Sequence, residues 1–287
     1  MSERDSSRKN GAGKKKRGNI LSAVILIAAV LVILFSLSRL LPILLDYRQS
    51  GQTYQDLADQ YVNDAADGDT DADADENADL ISDDTAEQGF DWAAVSIDFE
   101  ALKQINPDVV GWIRFDDTAA VAVDYPILYA ADNETYLRTD LYGSAHTAGS
   151  IFLEAANTPD FSDYYNIIYG HNMRNGSMFG TLKQYRRDES FYDANPCFTI
   201  YTEETAYRYQ IFAYEVVSDG SEIYTVGYEP DEAYQDLIDL ICSQSMRDTG
   251  IVPEVTDRIV TLSTCTSVND SERFVVHAVC IDQADLQ

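Results

Sequence analysis

Apolar residues are distributed along the chain in three distinct ways. From Ile20 to Ser38 they form an almost unbroken run, which resumes after Arg39 as Leu40-Leu41-Pro42-Ile43-Leu44-Leu45. From Gln49 to Glu100 there is no Lys or Arg, and Asp recurs through Asp67-Gly68-Asp69-Thr70-Asp71-Ala72-Asp73-Ala74-Asp75-Glu76. From Phe90 onward the chain breaks into short β-favouring runs bounded by turn residues. These runs predict strands at Val109–Phe115, Ala120–Leu128, Ser150–Leu153, Tyr164–Tyr169, Cys197–Thr202, Tyr207–Val217, Arg258–Cys265 and Arg273–Ile281. A short helix is expected at Asp98–Ile105, capped by Asp98 and stopped by Asn106-Pro107. Further helices are expected at Met178–Tyr185 and at Pro230–Ser245, where Ala233, Leu237, Leu240 and Ile241 share one face. Many short strands with few helices imply a mainly β fold, a closed or nearly closed barrel.

Charge refines this division. The net charge of −29 argues against a nucleic-acid partner, because phosphate repels such a surface. Its positive share is concentrated at the start, with Arg4, Arg8, Lys9, Lys14, Lys15, Lys16 and Arg17 before the first apolar run. A run of about 19 uncharged residues suffices to cross a bilayer as a helix. A signal peptide would be shorter and would end in a small-residue cleavage site. The reading is therefore a basic cytoplasmic tail (1–18), a transmembrane anchor (19–45), an acidic disordered stalk (46–89) and an extracellular folded domain (90–287). The spacing of Asp71, Asp73 and Asp75 is that of calcium-loop ligands, but the glycine turn and closing glutamate are missing, so no metal site is assigned.

The candidate chemistry gathers at strand ends. The runs ending at Cys265 and starting at Arg273 are joined by a short polar connection and read as an antiparallel hairpin, which makes these two residues neighbours. A thiol beside a fixed positive charge is where a thiolate nucleophile is expected; the alternative is a small buried hydrophobe. His171 ends the run Ile167-Ile168-Tyr169-Gly170, where a glycine presents the imidazole at a barrel rim. His146 lies in a small-residue loop. His277 is four residues beyond Arg273, about 13 Å along the strand, and too far to touch Cys265. A Cys, a His and an Arg at three strand ends are the parts required for thiol acyl transfer. Cys197, Cys242 and Cys280 are read as free, buried thiols.

Several segments carry a resemblance. Thr261-Leu262-Ser263-Thr264-Cys265, Arg273 within Arg-Phe-Val-Val-His, and Tyr169-Gly170-His171-Asn172-Met173 resemble the three signatures of sortases, the membrane-anchored transpeptidases of Gram-positive bacteria. Asn106-Pro107-Asp108-Val109-Val110-Gly111-Trp112-Ile113, Val123-Asp124-Tyr125-Pro126-Ile127 and Asp132-Asn133-Glu134-Thr135-Tyr136-Leu137 are similar to class B in particular, as is the long helix before the cysteine strand. The resemblance covers the chain from about Phe90 onward.

It implies an eight-stranded sortase barrel with additional N-terminal helices. It also implies Cys265 as nucleophile, His171 as proton donor to the leaving amine and Arg273 as the group steadying the substrate carbonyl. Asn133, Leu137, Tyr169 and Ser263 carry over as substrate-groove residues by motif position, and Tyr224 from the loop before the long helix. No metal or cofactor is implied. The implied partners are surface proteins bearing a C-terminal sorting motif, and an amine of a peptidoglycan precursor or a pilin. Two other readings stay open on the residues alone: a cysteine peptidase that hydrolyses wall peptides, and a non-catalytic surface binding protein.

Overall fold

The computed structural model describes residues 25–39, 54–64, 90–266 and 271–286. The chain separates into two units, 1–48 and 49–287. In the first, residues 25–39 form a helix with exposed side chains. Among the described residues no helix is long and apolar enough to cross a membrane. The basic tail and the remainder of the anchor expected over 19–45 lie outside the described residues.

The second unit is built on a barrel. Its strands are β3 (Val109–Phe115), β4 (Asp124–Leu128), β5 (Ile151–Leu153), β6 (Tyr165–Tyr169), β7 (Cys197–Tyr201), β8 (Thr205–Ser218), β9 (Ile259–Cys265) and β10 (Glu272–Asp285), preceded by the short pair β1 (Val62–Asn63) and β2 (Ser96–Ile97). The eight barrel strands close in the order β10-β8-β7-β3-β4-β5-β6-β9, the architecture expected from their number and spacing. Most neighbours are antiparallel, but β4–β5 and β6–β9 run parallel. Strand β9 thus lies between β6 and β10, both of its edges hydrogen-bonded.

Helices α2 (Phe99–Ile105), α3 (Glu189–Ala194) and α4 (Glu232–Gln244) flank the barrel. The Asp98 carboxylate accepts from the Ala101 N–H at 2.9 Å, the capping bond expected from the sequence. Helix α4 starts on Asp231, whose side chain accepts from the amides of Ala233 and Tyr234. Its buried face, Tyr234, Leu237, Ile238 and Ile241, packs on Tyr165 and Ile167 of β6, Ile259 of β9, and Val275 and Val279 of β10. With the barrel core on the other side, β9 is buried along its whole length until Cys265, its first partly exposed residue. The strand brings the thiol to the barrel rim and stops there.

Two expectations are corrected. The stalk expected over 46–89 contains, at 54–61, a helix (α1) that leads into β1. Tyr54 and Leu57 of α1 are 5% and 2% exposed. The Tyr54 ring meets that of Tyr125 edge-on at 5.3 Å, Asp64 pairs with Arg114 at 2.9 Å, and β1 pairs with β2. The folded unit therefore begins well before Phe90; the rest of the stalk lies outside the described residues. The helix expected at Met178–Tyr185 is reduced to one 3-10 turn, Leu182–Gln184. Met178 has φ +54, a left-handed conformation that cannot start a helix, and it bridges back to Asn172 while its amide donates to the Tyr125 hydroxyl at 3.0 Å.

Candidate active site

Cys265 and Arg273 are directly opposite one another across the β9–β10 ladder. In an antiparallel pair such residues lie on the same face, with Cβ atoms about 5 Å apart. His171 arrives from the other side. Tyr169, the last residue of β6, pairs with Ser263 of the parallel β9, and the Gly170 amide donates to the Ser263 carbonyl at 3.1 Å. The three side chains named as catalytic candidates are thus delivered by three adjacent strands to one end of the barrel. Gly170 is required for reasons of space, because a Cβ there would sit 2.5 Å from Ile151 Cδ1 and 2.7 Å from the Phe179 ring. Only a glycine lets the chain pass between these side chains and turn His171 outward.

The loop after β6 is tied to the cysteine strand by Asn172, whose Nδ2 donates to the Cys265 carbonyl at 2.7 Å. The His171 Nε2 lies 2.8 Å from the Leu137 carbonyl. A carbonyl only accepts, so Nε2 carries the proton and Nδ1 is the position that titrates. Burial pulls the His171 pKa below its ordinary value, with Arg138 adding to the effect and the Leu137 bond opposing it. Burial thus favours the neutral imidazole. Among the described residues no hydrogen bond joins it to the Cys265 thiol.

The wall beside these residues is aromatic and hydrogen-bonded. The Tyr224 ring stacks on that of Tyr169 with centroids 6.3 Å apart and planes at 16°, and the Tyr224 and Ser263 hydroxyls lie 2.8 Å apart. Ser263 is two residues before Cys265 and shares its face of the strand. Burial pushes the Tyr224 hydroxyl above its usual range, with the Ser263 bond and Arg273 opposing this and Cys265 adding to it, which puts Tyr224 within electrostatic reach of both Cys265 and Arg273. Leu137 is 37% exposed, an open apolar surface beside His171. Asn133 is part of the same wall, but its Nδ2 is engaged by both oxygens of Glu154 at 2.8 Å. All five groove residues taken from the sequence therefore belong to one connected region.

The excluded histidines are elsewhere. His277 is fully buried, pairs with Thr261 rather than Cys265, and is bonded through Nδ1 to the Thr261 hydroxyl at 2.8 Å. His146 accepts from the Ala148 amide. All four cysteines are unpaired, and Cys197, Cys242 and Cys280 are partly rather than fully buried. Among the described residues no cluster of His, Cys, Asp or Glu could hold a metal ion. Sequence reasoning missed Asn172 and Glu154. The first followed His171 directly; the second was a lone acid immediately after an apolar strand.

Comparison with known proteins identifies relatives of this chain and fold. Residues 118–281 match the model of the sortase domain. Sortase B of Listeria monocytogenes is 39% identical over 173 residues, covering 60% of this chain and 68% of that protein. A Bacillus anthracis protein described as similar to sortase B, solved by crystallography, aligns with a TM-score of 0.57 at 35% identity, over 66% of this chain and 83% of that one. The Staphylococcus aureus sortase B–substrate complex aligns with a TM-score of 0.59 at 29% identity, over 66% of this chain and 85% of the other.

Proposed function

The chain belongs to the sortase family as a class B member, a cysteine transpeptidase, and we propose that Cys265, His171 and Arg273 carry its chemistry. The observation that supports this most is the Cys265–Arg273 cross-strand pair with the His171 loop docked on the same strand end. In this reading the substrate is the C-terminal sorting signal of a surface protein. Cys265 attacks the scissile carbonyl as its thiol proton passes to Nδ1 of the neutral His171. The planar guanidinium of Arg273 donates to the oxyanion that forms, beside the aromatic wall of Tyr169 and Tyr224. Collapse of the intermediate breaks the peptide bond, and the proton on Nδ1 goes to the leaving amine. An amine of a wall precursor or pilin then attacks the thioacyl bond and regenerates the thiol. The catalytic domain works outside the cell, held there by the apolar N-terminal run.

The test is turnover of a panel of sorting-signal peptides by the full-length protein, with and without an amine acceptor. Amine-dependent product formation, and its loss in Cys265→Ala and His171→Ala, is expected. Equal product with and without amine would make the protein a hydrolase. Full activity in His171→Ala would remove that residue from the mechanism.

A further inference from the structure

One carboxylate underlies both sides of the site. Glu154 follows β5 directly and is 9% exposed. Its Oε1 accepts from Asn133 Nδ2 at 2.8 Å and from the Ala156 amide at 3.2 Å. Its Oε2 accepts from the same Asn133 Nδ2 at 2.8 Å and from the Tyr169 hydroxyl at 2.7 Å. Asn133 returns the contact by accepting from the Ala155 amide at 2.9 Å. None of the salt bridges among the described residues involves Glu154. A buried carboxylate held only by neutral donors is costly to keep, and an apolar residue would fill the same space without that cost.

The geometry points to Glu154 as a positioning residue, the common anchor through which His171 and the Cys265 strand are held in register. The inference rests on the catalytic reading above. One arm runs through Asn133 into the segment Asn133–Leu137, whose final carbonyl accepts from His171 Nε2. The other runs through the Tyr169 hydroxyl to the ring stacked on Tyr224, and from the Tyr224 hydroxyl to Ser263 on the face of β9 that carries Cys265. The Asn133 arm uses both carboxylate oxygens and the Tyr169 arm uses Oε2, so the two arms meet on one oxygen. Cutting the anchor loosens the imidazole and the wall beside the thiol together, while leaving the barrel ladders intact.

The experiment compares Glu154→Ala, Glu154→Gln and Asn133→Ala in the full-length protein. It measures single-turnover acylation by a sorting peptide and the NMR titration of the His171 ring. Misplacement of reacting groups by about 1 Å costs on the order of 10²-fold, so Glu154→Ala is expected to acylate at least about tenfold more slowly. Its His171 titration should move, because the burial that lowers it and the Leu137 bond that opposes this are both disturbed when the segment Asn133–Leu137 loosens. Glu154→Gln keeps an acceptor for Asn133 and a partner for Tyr169, and should recover most of the rate. Parental acylation in Glu154→Ala, or a slower rate with an unmoved His171 titration, overturns the inference. If Glu154→Ala fails to fold, Asn133→Ala decides: it cuts one arm only and must still shift the His171 titration. Activity remaining in Cys265→Ala would defeat the catalytic reading itself. A dead Cys265→Ala beside an unaffected Glu154→Ala defeats this inference alone.

Discussion

Replacing Leu57 by Ala measures how firmly α1 belongs to the catalytic domain. Leu57 is 2% exposed, so its truncation removes a fully buried side chain. Such a change costs about 2–5 kcal/mol when the surroundings cannot collapse. There is also a ceiling. If the loss exceeds the net free energy with which the segment 54–64 docks, the segment detaches and the remaining domain keeps its own stability. That net value is set by the burial of Tyr54 and Leu57, at roughly 1.5–3 kcal/mol each, and the pairing of Asp64 with Arg114. Against these stands the entropy of ordering the segment. A loss of 2–5 kcal/mol corresponds to a fall in Tm of roughly 4–20 °C for a domain of this size. Thermal and urea unfolding of the full-length variant, followed by circular dichroism, gives the number. Gln55→Ala, on the exposed face of the same helix, serves as the reference and should stay within about 0.5 kcal/mol of the parent. A protein starting at Phe90 should lose as much stability as Leu57→Ala or more. Equal Tm values for Leu57→Ala and Gln55→Ala would refute the docking, and a larger loss in Leu57→Ala than in the truncated protein would refute the ceiling.

Arg273→Lys keeps the charge opposite Cys265 but loses the planar fork, so single-turnover acylation is expected to fall by about 10²-fold or more; near-parental acylation would reduce Arg273 to a source of positive field. Asp124 has its pKa pushed up to about 6 by burial, against the opposing effects of Arg114 and a hydrogen bond from Trp112. The folded state thus binds its proton more tightly than the unfolded chain. The associated stability is fully present below about 3.8 and is lost as pH rises through about 6. Asp124→Asn should flatten urea-unfolding stability across that window, by at most about 3 kcal/mol. An unchanged pH slope would show that Asp124 titrates normally in the fold.

The barrel was legible because its strands are short β-favouring runs bounded by turn residues, even though most are buried at nearly every position. The pairing of Cys265 with Arg273 followed from hairpin arithmetic alone, since the end of one strand must meet the start of the next. Helix α1 escaped notice although Tyr54, Leu57, Ala58 and Tyr61 follow a helical period. An isolated helix of this length in an acidic stretch has no stability of its own, and only the docking face on Tyr125 and Ser150 supplies it. The false helix at Met178 had good local propensity, but a tertiary bridge to Asn172 and the Tyr125 hydroxyl set the backbone there. Glu154 was invisible for the same kind of reason. A lone glutamate after a strand gives no hint of its partners, because Asn133 and Tyr169 meet it only once β5 and β6 have paired.

The double-sided pairing of β9 has a dynamic consequence. A strand hydrogen-bonded along both edges and covered by a helix releases its amides only when neighbouring strands separate, so its fluctuations belong to the slowest class of opening in the domain. Cys265, the proposed nucleophile, stands two residues beyond the stretch that β6 pairs, held by the β10 ladder and the Asn172 bond. In the proposed mechanism, adaptation to peptides of different shape falls to the turn carrying Tyr224 and the segment from Asn133 to Leu137. Selectivity can then drift through changes in these borders while the position of the sulfur stays fixed.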